Sequence, residues 1–218
     1  MTAIIFDLDG TLIDSAADIA ANANAVLEEL GLGALPTVQI RGFIGNGVGN
    51  LIGRVLEASN MAADGPLFAP MVKRFNELYE AAFEHTVIYP GVTNALMQLA
   101  DMGCVLGVCT NKPIAPTHAV LRHLGLDKHF AAVYGGDSLP QRKPDPAPLF
   151  ATAGDLGRAQ VIYVGDSEVD AATAENAKLP FLLYTEGYRK TPVHELYHDA
   201  PFNDFKQLPG LVAALMKG

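Results

Sequence analysis

Two kinds of apolar pattern alternate along the chain. Short runs rich in β-branched and aliphatic residues suit strands buried on both faces, and stretches whose apolar positions return every three or four residues suit helices. Their alternation predicts a parallel sheet with strands near Ala3–Phe6, Val105–Cys109, Ala132–Tyr134, Val161–Val164 and Phe181–Tyr184. After the first strand the alternation stops. From about Ser15 to His85 the pattern is helical throughout: DSAADIAANANAVLEELG, VGNLIGRVLEAS, then PLFAPMVKRFNELYEAAF. Ser15 followed by Asp18 reads as a helix N-cap with its box partner, and Gly31 as a C-cap. The expected architecture is an α/β fold. A Rossmann-like, doubly wound parallel-sheet core from residues 1–14 and 90–218 carries an inserted small α-helical cap domain, residues 15–89. Gly91, Gly103, Gly125 and Gly157 mark turns between the later units.

Composition narrows the function. At 218 residues, 50% of them hydrophobic and 18% charged, the chain can bury one sizeable core and is not a disordered tail. Fifteen Lys+Arg against 24 Asp+Glu give a formal net charge of −9. That balance argues against a nucleic-acid backbone or an anionic membrane as partner, since both need a basic face. Ile4, Ile5 and Phe6 run straight into Asp7, with no targeting segment expected before them, and no apolar run reaches membrane-spanning length. Cys104 and Cys109 share one predicted strand. They would lie about 16 Å apart on opposite faces, too far for a disulfide. Two free thiols point to a reducing compartment, the cytoplasm by default.

The chemistry gathers at strand ends. IIFDLDG closes on Asp7, GVCTN on Thr110 and IYVGDS on Asp166. Open parallel sheets bind ligands beyond the carboxyl ends of their strands, so these residues should meet at one rim. Asp9 and Asp170 add carboxylates to it. Converging carboxylates repel one another, so a cation must sit among them, and an all-oxygen set favours Mg²⁺. Lys143, in the Pro-stiffened loop QRKPDP, is a candidate second cation. The competing reading for each Asp or Thr is an ordinary turn-starter, and for Lys143 a solvated loop lysine.

Taken together, FDLDGT at Phe6–Thr11, CTN at Cys109–Asn111, RKPDP at Arg142–Pro146 and GDSEVD at Gly165–Asp170 resemble, in order, the four motifs of the haloacid-dehalogenase-like phosphohydrolases. Within that family IRGFIGNGVGNLI, YPGV, NKP and GGDSLPQRKPDPAPL are most similar to the phosphoglycolate phosphatases. The resemblance implies an Mg²⁺-dependent hydrolase of a small phosphorylated metabolite, acting as monomer or homodimer. It makes Asp7 the nucleophile that forms an aspartyl-phosphate, and Asp9 the acid that protonates the leaving oxygen and then activates water. It also implies Mg²⁺ ligation by Asp7, Asp9 (through its backbone carbonyl) and Asp166. Thr110, Asn111 and Lys143 would hold the phosphoryl oxygens, and Asp170 would orient Lys143 or nearby water. For the substrate's carboxylate the cap candidates are Arg41 and the Gly45–Asn46–Gly47 turn, with Arg54 or Lys73 next.

Other signals compete and lose. HELYH at His194–His198 matches a zinc-protease pattern, but Pro192 and Pro201 leave little more than two turns of helix, and no Glu or His follows to supply a third ligand. GFIGNGVG fits neither nucleotide-loop template and lies inside the helical stretch. His118, His123 and His129 do not share a helical face at ligand spacing. Among relatives on the same fold, Asp9 argues against 2-haloacid dehalogenases, which lack the second aspartate. Lys73, without the right loop setting, argues against phosphonatases. Sugar-phosphate phosphatases and phosphomutases share the core motifs and stay open; the intact Asp7, Asp9, Lys143 and Asp166 argue against a non-catalytic binding module.

Overall fold

The structure, a computed structural model, describes residues 2–157 and 160–217; Met1, Arg158, Ala159 and Gly218 lie outside it. Strand β1 (Thr2–Phe6) is followed by the two-residue β2 (Ile13–Asp14). The helical stretch then comprises α1 (Ala16–Glu29), α2 (Thr37–Arg41), α3 (Gly47–Ala58) and α4 (Phe68–Tyr79). The chain returns through β3 (Val87–Ile88), α5 (Val92–Asp101), β4 (Val105–Cys109), α6 (Ile114–His123) and β5 (Ala132–Tyr134). It ends with α7 (Ala147–Asp155), β6 (Gln160–Gly165), α8 (Glu168–Ala177), β7 (Phe181–Tyr184), β8 (Ala200–Phe202) and α9 (Leu208–Leu215).

Six strands form a wholly parallel sheet in the order β5-β4-β1-β6-β7-β8. The chain winds outward from β1 in one direction and then returns to wind in the other, which is the doubly wound topology. Side-chain alternation separates two cores. Ile4, Phe6, Leu106, Val108, Ile162 and Val164 face α5, α6 and α9, whereas Ala3, Ile5, Tyr163 and Phe181 face α7 and α8. The strands are buried on both faces, which is why they read as unbroken apolar runs. Cys104 and Cys109 are free, buried and on opposite cores.

Helices α1, α3 and α4 bury their apolar stripes against one another in a third core containing Ile19, Leu27, Ile52, Leu56 and Phe75. Gly31 closes α1 at φ +70°, with Gly31 N–H donating to Glu28 O and Leu32 N–H to Leu27 O. The helix start differs from expectation. Ser15 caps nothing with its side chain, and Asp18 instead accepts from His85 N–H at 3.1 Å and Thr86 Oγ1 at 2.6 Å. The pair is drawn apart because both ends of the insert meet here: β2 pairs antiparallel with β3, and Asp18 ties the outgoing helix to the returning strand. Strand β8, which sequence pattern missed, is a short edge strand interrupted by Pro201. Among the described residues no helix is long and apolar enough to cross a membrane.

Candidate active site

The sheet's two windings part between β1 and β6, and the carboxyl ends of these strands open the crevice that such a reversal creates. Asp7 leaves β1 there and Asp166 leaves β6, with both side chains buried. Asp170 joins them from the first turn of α8, and carboxylate oxygens of all three lie within 4.8 Å of one another. Gly10 makes the approach possible. Its φ of +93° suits glycine, and a Cβ there would sit 2.5 Å from Asp166 Oδ2. Thr11 Oγ1 and the Tyr188 N–H then hold the two Asp166 oxygens at 2.7 and 2.6 Å.

One cation is shared unequally among the three. Lys143 Nζ donates at 2.7 Å to Asp7 Oδ1, at 2.7 Å to Asp170 Oδ1 and at 2.9 Å to the Tyr163 hydroxyl. That hydroxyl donates in turn to Asp170 Oδ1 at 2.7 Å. Asp170 Oδ2 is held by the N–H and Oγ of Ser167 and by the Asp166 N–H, in a capping box that starts α8. Burial pushes the Asp170 pKa up, but Lys143, Ser167 and Tyr163 outweigh it and hold the group below its ordinary value. Asp7 goes the other way. Burial and the Asp170 charge push it up to about 7 against the pull of Lys143. Asp166 is also raised well above the ordinary range, by burial first and then by Asp170 and Asp7. Burial opposes the charge on Lys143, yet Asp170 and Asp7 prevail and raise its pKa. The protein supplies less positive charge than the cluster carries, and its donor set is all oxygen. That is a fit for a hard divalent cation.

Above the carboxylates lies a pocket between sheet and helical insert, lined by Asp7, Asp9, Thr110, Asn111 and Lys112 from below. Ile19, Ile44, Val48, Leu51 and Tyr79 of the insert form its roof. Asp9 Oδ1 accepts from Ser15 Oγ at 2.6 Å. Asn111 Nδ2 spans the gap, donating to Gly45 O and Lys143 O, both at 3.0 Å. The glycine turn of the insert thus faces the site through Gly45 and Gly47, while Asn46 itself is exposed at the start of α3.

The cations expected from the cap are not in this pocket. The Arg41 guanidinium donates to Gly187 O at 3.0 Å and lies 5.0 Å from the Tyr188 ring centroid, so it ties α2 to the loop holding Asp166. Arg54 lies over Phe43, and Lys73 is exposed on α4. The pocket cation is Lys112, the buried middle residue of NKP. Its Nζ donates to the Tyr79 hydroxyl and lies 3.4 Å from Asp9 Oδ1. Burial lowers its pKa more than Asp9 raises it. Sequence reading also missed Thr11, Ser15, Tyr163 and Tyr188. Thr11 and Ser15 follow the DLDG run within five residues and offered a signal; the two tyrosines are placed by the fold alone. The HELYH histidines occupy a short 3₁₀ turn and an extended segment and share no helix face.

Comparisons with known proteins agree with this fold. Residues 4–184 match the family model described as haloacid dehalogenase-like hydrolase. A phosphoglycolate phosphatase of Cereibacter sphaeroides is 51% identical over 99% of this chain and 100% of its own length. One from Rhodobacter capsulatus is 48% identical over 96% of each. The crystal structure of a predicted phosphoglycolate phosphatase from Haemophilus somnus superposes with a TM-score of 0.90 at 31% identity, covering 96% of this chain and 97% of that one. The chain therefore belongs to the haloacid dehalogenase-like hydrolase family.

Proposed function

We propose that the protein hydrolyses small phosphate monoesters, 2-phosphoglycolate first among them, through a phosphoryl group carried on Asp7. The observation that carries this reading is the placement of Asp7. It is an acceptor-only oxygen nucleophile at the pocket floor, with Lys143 at 2.7 Å to offset phosphoryl charge and Asp9 beside it. An Asp7 oxygen attacks phosphorus and the bond to the ester oxygen breaks, with Asp9 delivering a proton to that oxygen. Asp9 then takes a proton from the water that attacks the same phosphorus, and Asp7 is released. Thr110 and Asn111 line the pocket beside Asp7, where the Thr110 hydroxyl and the Asn111 backbone N–H can hold the phosphoryl oxygens. Asp170 holds Lys143 in place.

The side chains of Asp7 and Asp166, with the Asp9 backbone carbonyl, would hold Mg²⁺. The ion would offset charge developing on the phosphoryl oxygens. The helical insert acts as a cap that closes over the bound ester, with β2 and β3 as its hinge. The full-length relatives named phosphoglycolate phosphatase, together with the small roofed pocket, favour that ester over sugar phosphates. The test is phosphate release from a panel of esters with Mg²⁺, after EDTA, and after Mg²⁺ is restored. Phosphoglycolate should be hydrolysed fastest, and only when Mg²⁺ is present. No release from any ester, or full activity in EDTA, would sink the reading.

A further inference from the structure

Lys112 is a buried cation with incomplete compensation. Its ammonium has three N–H donors; one goes to Tyr79, and another points to Asp9 Oδ1 at 3.4 Å, near the limit of a hydrogen bond. The same Asp9 oxygen already accepts from Ser15 at 2.6 Å. Among the described residues the third N–H has no oxygen acceptor; Nζ lies only over the Tyr79 ring, 3.9 Å from its centroid, a weaker partner than a carboxylate. Tyr79, whose pKa burial drives well above its ordinary value, keeps its hydroxyl proton, and that proton has no acceptor either. Two unused donors from opposite sides, one from the sheet and one from the insert, therefore line one pocket.

We infer that Lys112 and Tyr79 form a two-donor clamp for a carboxylate on the substrate, selecting phosphate esters of 2-hydroxy acids. This deepens the phosphatase reading and rests on it. An ester oxygen that takes a proton from Asp9 must come within about 2.8 Å of that carboxyl group. Lys112 Nζ is a neighbour of the same group, so a carboxylate one carbon beyond the ester oxygen comes within its reach. A carboxylate several carbons further along would overshoot. Ile19, Ile44, Val48 and Leu51 complete the wall, and they offer sugar hydroxyls nothing to bond. Because Tyr79 comes from α4 and Lys112 from the loop after β4, the clamp exists only when insert and sheet are together.

The test compares kcat/KM for 2-phosphoglycolate and for 2-hydroxyethyl phosphate, an ester of similar length whose organic part carries no charge. Their ratio is independent of the fraction of a variant that folds. Lys112→Met should lower the ratio by about tenfold to a hundredfold, Tyr79→Phe by about threefold to tenfold, and Lys112→Arg should retain part of it. Equal losses on both esters in Lys112→Met, or loss of both below detection, would overturn the clamp and place Lys112 with Asp9 in the proton transfer. An unchanged ratio would overturn it as well. If the wild type hydrolyses both esters without preference, the clamp alone falls; if it hydrolyses neither, the phosphatase reading falls with it.

Discussion

Asp7, Asp166 and Asp170 share residue type, burial and neighbourhood, yet their pKa values diverge. The difference lies in who holds the donors. Asp170 collects Lys143, Tyr163 and Ser167 and stays ionised, whereas Asp7 has the same lysine but only a Leu8 N–H besides. A nucleophile less fully hydrogen-bonded is freer to attack. Asp7→Asn should abolish turnover while the fold survives, checked by steady-state kinetics after excluding deamidation. Asp9→Asn should slow phosphoglycolate hydrolysis by a factor of about 10² to 10⁴, and activated aryl phosphates by less, since their leaving group needs no proton. Equal losses would count against Asp9 as the acid. Asp7 and Asp166 were legible because each follows directly on an apolar run, where a strand end exposes its next side chain to the rim; Asp170 was legible only through the GDSEVD motif. Lys112 and Tyr79 were not. Thirty-three positions separate them in the chain, and only the approach of α4 to the β4 loop makes them partners.

At the level of elements, hydrogen bonds of a definite kind join the insert to the rest of the chain. The Tyr188 hydroxyl accepts from Ser15 N–H at 2.8 Å and Ala16 N–H at 3.1 Å, and donates to Asp14 Oδ1 at 2.8 Å. Its own N–H holds Asp166, so the proposed hinge and the carboxylate cluster share one residue. Asp18 closes the other side. Asp18→Ala would leave the His85 N–H and the buried Thr86 hydroxyl without their acceptor, and should destabilise the protein by about 1–3 kcal/mol in urea unfolding. It should also speed hydrogen exchange at His85 more than in the central strands; uniform acceleration would mean that the hinge is no separate element. Five sheet strands were legible from their apolar runs. The hinge strands, at two residues each, are too short to show any period, and β8 carries a proline that reads as a turn. Ser15 and Asp18 fit a local capping pattern that non-local partners override.

For the molecule as a whole, the carboxylate cluster makes metal binding and stability one problem. A group whose folded pKa is raised binds more protons folded than unfolded, so the stability tied to it is lost as pH rises. For Asp7 that window runs from its ordinary value of 3.8 up to about 7, and Asp166 acts in the same direction. Asp170, with its lowered pKa, gives the opposite slope, but only below the ordinary carboxylate value. The Tm of the protein in EDTA should therefore fall between about pH 4 and pH 7, and Mg²⁺ should restore much of it at the upper end. Asp7→Asn should flatten part of the slope. A Tm in EDTA that rises over this range, or an identical slope in Asp7→Asn, would contradict the assignment.

The central claim is that Asp7 carries the phosphoryl group between two displacements. Rapid acid quenching of the protein during turnover of 2-phosphoglycolate with Mg²⁺, followed by mass analysis of the peptide spanning Thr2–Thr11, tests it directly. A peptide heavier by one phosphoryl group is expected, with the modification on Asp7 and absent in Asp7→Asn. A phosphoryl group found on another residue, or undiminished turnover by Asp7→Asn, would contradict it.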